Sequence, residues 1–151
     1  STMTTESLIL RRCYPVPVTF ADLRQAHEIL IEERRALCSH LAWLIAGVSI
    51  GGVAWNSAIK EATGATDEVC AVIDGREVRV ATVTGSGETA TANMFGPIST
   101  GQAAEILIAA DEAGYWERPH EVRVVLQERP MSIAAVERAV NVGWTARGGS
   151  A

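Results

Sequence analysis

A chain of 151 residues, 48% apolar and 21% charged, has the size and composition of one globular domain able to bury a core, and neither a disordered nor a fibrous one. Its net charge of −5 argues against a general nucleic-acid binder, which needs a basic face. Cys13, Cys38 and Cys70 are odd in number and contain no CxxC, which argues against a disulfide framework or a thiolate zinc site and for a reducing compartment. Ser1 to Glu6 has no basic stretch leading into an apolar run, so no signal peptide is expected and the protein is read as cytoplasmic. The whole chain, 1–151, is expected to form a single domain, with 1–6 and 147–151 as tails.

Ser7 to Tyr14 is predicted as a short strand with Leu8-Ile9-Leu10 at its centre. Pro15 and Pro17 end it, because proline cannot donate to a ladder. Thr19 then caps a helix, with Asp22 at the third position reaching back. Leu23, Ala26, Leu30, Leu37, Leu41, Leu44 and Val48 recur at helical spacing, while Arg24, Gln25, Glu28, Glu32 and Arg35 fall on the other side. One helix is therefore expected from about Phe20 to about Ala46, with a break at Gly47 or at Gly51-Gly52. Val53 to Ala62 resumes as a shorter helix that Gly64 can cap.

Glu68 to Ile73, Asp74-Gly75 and Arg76 to Val83 predict a β-hairpin, since Asp-Gly suits the positive φ angles of a tight type I′ turn. In the second arm Val78, Val80 and Thr82 alternate with Glu77, Arg79 and Ala81, which predicts one buried and one wet face. The small, polar Thr84 to Gly96 can hold a further strand around Thr89 to Met94. Ser99 and Gln102 form a second capping box that opens a helix from Thr100 to Ala113, ended by Gly114. Tyr115 to Pro119 reads as a loop, His120 to Glu128 as a strand, and Ile133 to Val142 as a last helix capped by Ser132. This order predicts an α+β fold: an antiparallel or mixed sheet of about four strands, packed by a long N-terminal helix, a second helix after Gly51-Gly52 and two further helices.

No motif names a reaction. His27-Glu28 begins like a zinc-protease helix, but Ile31 stands where the second histidine belongs. Cys38 and His40 are two residues apart, which on a helix points them about 200° apart and prevents a nucleophile–base pair. A metal site would require the fold to gather His27, His40 and His120; no metal and no cofactor is expected. Gly85-Ser86-Gly87 lacks the third glycine of a dinucleotide fingerprint, since position 90 is Ala90. The wider segment is still the best candidate for ligand contact. Its hydroxyl residues Ser86, Thr89 and Thr91 lead to Ser99, Thr100 and Gly101 at a helix N-terminus, where backbone amides and the helix dipole favour an anion. His27, Glu28 and His40 are the candidate acid–base or pocket groups, with Asp111 in reserve.

Ala46-Gly47-Val48-Ser49-Ile50 and Val53 resemble the turn of helix-turn-helix repressors over about ten residues. Trp43 and Asn56 depart from that pattern, and Lys60 is the one basic group on the helix that would read the groove. The resemblance implies a regulatory protein only if a positive face surrounds Asn56 to Lys60.

Ala36 to Trp55 carries no charged residue, and its ~20 positions match the length of a membrane span. Ser39, His40, Ser49 and three glycines dilute it, and Trp43 and Trp55 lie only ~18 Å apart on a helix, too close to mark both interfaces. The stretch is read as core, not membrane. The resulting expectation is a small soluble non-enzymatic protein that holds a small, conceivably anionic, ligand or a protein partner as a homodimer. The alternatives are a small enzyme whose site is assembled from distant residues, and the helix-turn-helix regulator.

Overall fold

A computed structural model describes residues 5–37, 52–126 and residue 137. In chain order these residues form β1 (Thr5–Cys13), α1 (Phe20–Leu37), α2 (Gly52–Thr63), β2 (Thr66–Ile73), β3 (Arg76–Thr84), a 3-10 turn (Gly87–Thr89), β4 (Thr91–Met94), α3 (Thr100–Glu112) and β5 (Val122–Val125). The fold is α+β with one antiparallel sheet of five strands, in the order β4-β3-β2-β1-β5. The fifth strand is β4, which pairs Ala81 to Thr84 with Met94 to Thr91. Apart from the helical Glu137, the expected helix at Ile133–Val142 lies outside the described residues, as do the expected helix over Leu41, Leu44 and Val48, most of the uncharged run and the helix-turn-helix-like turn. Among the described residues, no helix is long and apolar enough to cross a membrane.

Local chemistry explains the elements. Thr19 Oγ1 accepts from Asp22 N at 3.2 Å and Asp22 Oδ2 from Thr19 N at 2.8 Å, so the capping box that opens α1 is formed. Ser99 and Gln102 exchange the same pair of bonds, 3.1 and 3.0 Å, at the start of α3. The β2–β3 turn holds Asp74 at φ 50° and Gly75 at φ 76°, the positive angles that the Asp-Gly dipeptide predicts.

One sheet face carries Leu8 and Leu10 of β1, Val69 and Ala71 of β2, Ala81 and Val83 of β3, Ala92 of β4 and Val122 of β5. α3 packs across it with Ala103, Ile106, Leu107 and Ala110, all at most 1% exposed. Burying Ile106 and Leu107 contributes about 1.5–3 kcal/mol each. A second, smaller cluster joins α1 to α2 through Ala26, Leu30, Ala58 and Ile59. Within the expected apolar stripe of α1, Ala26 and Leu30 are buried but Leu23 is 38% exposed.

The simple alternation expected of β3 is not what forms. Val69 pairs with Ala81 and Cys70 with Arg79, which leaves Val80 as an extra residue, a β-bulge. The bulge shifts the phase, so Val80 and Ala81 are both fully buried while Val78 is 42% exposed near the hairpin end. The Val80 carbonyl instead accepts from Phe95 N at 2.9 Å and Gly96 N at 3.1 Å. The chain after β4 is thereby fastened to the bulge.

Candidate functional site

Period-2 alternation in β2 points positions 67, 69, 71 and 73 into the core. Position 67 is an aspartate, and it is fully buried. A lone buried carboxylate is costly, so its partners decide whether it can exist there. Arg12, directly across the β1–β2 ladder, donates Nε at 2.9 Å and Nη2 at 3.3 Å. Lys60, in the last turn of α2, places Nζ 2.8 Å from Oδ2. Tyr115, just beyond α3, donates its hydroxyl at 2.7 Å. Four donors thus converge on one carboxylate.

The electrostatics follow from this geometry. Burial raises the Asp67 carboxyl, but the hydrogen bonds from Arg12, Lys60 and Tyr115 and the charge of Arg12 outweigh it and hold the group below its ordinary value. Burial likewise works against the Arg12 cation, and Asp67 overcomes it, so Arg12 is held more firmly protonated than usual. For Tyr115, burial and then the adjacent Asp67 charge both push the phenol up, so it stays neutral. With Arg12 and Lys60 positive, Asp67 negative and Tyr115 neutral, the group carries one net positive charge.

Further bonds fix α2 against this centre. Arg12 Nη1 donates to Asn56 O at 3.2 Å. Asn56 Nδ2 donates to Gly52 O at 2.8 Å and to Glu117 O. Lys60 Nζ also donates to Val83 O at 3.2 Å. The polar groups of α2 that a groove-reading helix would present, Asn56 and Lys60, are therefore engaged inside the protein.

Lys60 is also where the buried group meets solvent, with its side chain 23% exposed. An open depression of about 480 Å³ lies there. Ser57, Lys60 and Glu61 of α2 form one wall, and Gly85, Ser86 and Thr89 of the β3–β4 connection form the other. Thr89 Oγ1 donates to Ser86 O at 2.7 Å, which shapes that connection. The hydroxyl of Ser57 is exposed at this depression, and that of Ser86 sits at the cap of the 3-10 turn, beside Thr89.

The residues singled out in the sequence are thus divided. Ser86 and Thr89 line the depression. Thr91 Oγ1 lies 2.9 Å from Thr84 Oγ1 across the β3–β4 ladder, and Ser99, Thr100 and Gly101 sit at the start of α3 away from it. His27 and Glu28 are exposed on α1, and His40 lies outside the described residues. His120 is exposed, with Nδ1 2.8 Å from Arg118 O. Among the described residues, no group of three His, Cys, Asp or Glu side chains could hold a metal ion.

Sequence reasoning missed Asp67, Arg12 and Tyr115. The available signal was a single aspartate in the inward phase of a strand, with an arginine in the inward phase of another. Their pairing rests on a strand register that the sequence does not print. Tyr115 lies in the loop that the sequence predicts, but that loop is not on the surface: Tyr115 and Trp116 are at most 2% exposed and stack edge-to-face at 4.9 Å.

No protein-family model matches the chain, and neither a curated protein nor a solved structure is detectably similar to it.

Proposed function

We propose that this protein is a non-enzymatic binding protein that holds a small polar ligand in the depression between α2 and the Gly85–Thr89 connection. The observation that carries this reading is Lys60, a cation anchored from behind by Asp67 and presented to an open depression lined also by Ser57 and Ser86. An anchored cation has little conformational freedom left to lose on binding, which favours affinity. The volume falls within the ~300–1,000 Å³ typical of small-molecule sites. Among the described residues the walls offer hydroxyls, one paired cation and one carboxylate, with no histidine and no thiol, a set suited to holding a ligand more than to activating a nucleophile. The test is a nuclear magnetic resonance screen of small polar metabolites against the isotope-labelled chain. A binder should shift the amides of Ser57, Gly64, Gly85 and Ser86 in a saturable way. Absence of any binder that does so defeats the reading.

A second reading, self-association, is favoured by a different surface. Tyr14, Val16, Val18, Phe20 and Leu23 form an exposed apolar row leading into α1, with Phe20 73% exposed. Next to it α1 presents Arg24 and Glu28, both exposed. Two copies of α1 laid antiparallel set Arg24 of each opposite Glu28 of the other, the self-complementarity that a two-fold contact requires. Light scattering should therefore report a dimer that Phe20→Glu converts to a monomer. A wild-type chain that is monomeric at high concentration defeats this reading and leaves the first untouched.

A further inference from the structure

We infer that the ligand of the depression is a small zwitterion, an amino-acid-like molecule carrying both a carboxylate and an ammonium group; this rests on the binding reading above. The argument is one of charge. The walls hold one cation, Lys60, and one anion, Glu61. Lys60 already has Asp67 at 2.8 Å and Val83 O at 3.2 Å, so one face of the ammonium is satisfied and the remaining donor capacity points toward the opening. Glu61 is exposed, and among the described residues it lies in no ion pair.

A simple anion gains from Lys60 but must sit beside the unpaired carboxylate of Glu61. A simple cation gains from Glu61 but must sit beside the net positive charge shared by Arg12, Lys60 and Asp67. Neither can complement both walls, whereas a molecule bearing both signs can. Lys60 and Glu61 are neighbours on α2 and so point about 100° apart, which keeps them from neutralising each other and leaves two separate docking points. Ser57 lies one turn before Glu61 on the same side of the helix, and Ser86 faces it from the other wall. Their hydroxyls can meet a polar side chain on the ligand. Among the described residues, the lining has no aromatic ring.

The test uses the full chain and named probes. Glycine, L-serine and γ-aminobutyrate serve as zwitterions, acetate and inorganic phosphate as anions, and methylammonium as a cation. Each is titrated to tens of millimolar, an affinity range of about 2–3 kcal/mol, while amide shifts at Gly64, Gly85 and Ser86 are followed. At least one zwitterion should saturate these shifts, while the anions and the cation should not. Glu61→Gln, an exposed change that leaves the fold intact, should weaken that zwitterion about tenfold. Saturation by acetate or phosphate as tight as by any zwitterion, or unchanged zwitterion affinity in Glu61→Gln, overturns the ligand class and leaves the binding site standing. No saturable shift from any probe overturns both.

Discussion

Replacing Asp67 by asparagine changes almost no volume and removes one charge from the centre of the fold. The carboxylate receives four donors, two from Arg12 and one each from Lys60 and Tyr115. An asparagine oxygen can accept some of these bonds, but its amide nitrogen meets the rest as donor against donor. Lys60, 23% exposed, can turn toward water. Arg12, 4% exposed, cannot, and would be left with neutral acceptors alone, such as the Asn56 carbonyl at 3.2 Å. Leaving a buried cation without its counter-charge costs about 3–5 kcal/mol, a large part of the ~5–15 kcal/mol by which such domains are stable. Urea unfolding followed by circular dichroism should show that loss at unchanged slope, and the melting temperature should fall by roughly 6–20 °C. The pH dependence supplies a second check. Because the folded carboxyl is held below its ordinary value of 3.8, its contribution is complete above that pH and is lost as pH falls through the folded value. The gap between wild type and Asp67→Asn should therefore be constant near neutrality and narrow below about pH 4. A loss under about 1 kcal/mol at pH 7, or a gap that does not narrow in acid, refutes the account of the buried cluster.

Three further outcomes are expected. Tyr115 is held protonated above its ordinary value, so stability should fall as pH rises beyond about 10, and tyrosinate absorbance from this residue should appear only together with unfolding; Tyr115→Phe should abolish that component of the absorbance. Cys13 donates to Glu68 Oε2 at 3.3 Å, and burial and that contact push its thiol up to about 11, so in a Cys38→Ser/Cys70→Ser background it should react with iodoacetamide at pH 8 roughly a hundredfold more slowly than a free thiol, a deficit that Glu68→Gln should partly relieve. Gly52→Ala should destabilise by about 1–3 kcal/mol in thermal unfolding, because the new Cβ would lie 2.6 Å from the backbone oxygen of Glu117; an unchanged melting temperature would show that this approach is not as close as described.

What was legible in the sequence was local, and what was not depended on register. The Asp74-Gly75 turn, the two capping boxes and the glycines after α2 and α3 each carry their signal within a few residues, and each formed where expected. The alternation of β3 failed for a non-local reason. Val80 bulges because the chain after β4 returns to bond its carbonyl, and nothing within β3 announces that return. The site was half legible for the same reason. A hydroxyl-rich segment next to glycines pointed to Ser86 and Thr89, but the opposite wall comes from α2, which only the tertiary fold brings near. Asp67 read as one acidic residue at a strand start, because Arg12, Lys60 and Tyr115 reach it across 55, 7 and 48 positions of chain.

A buried ion cluster is weak evidence of stability in itself, since apolar side chains of the same volume often serve as well. Its position here argues for a different role. α2 buries its apolar residues Ala58 and Ile59 against α1, not against the sheet. Toward the sheet it contributes Val53 at the core margin, and otherwise polar links: Lys60 to Asp67 and Val83, Asn56 to Arg12 and Glu117. Apolar contacts tolerate sliding, whereas directional bonds to a single buried carboxylate specify one orientation of the helix. The two walls of the depression belong to α2 and to the β3–β4 connection, so the bonds that orient α2 also set the width between them. The shape of the candidate binding site is in this sense determined by residues that do not line it, Asp67, Arg12 and Tyr115, and a change at any of them should alter ligand affinity as well as stability.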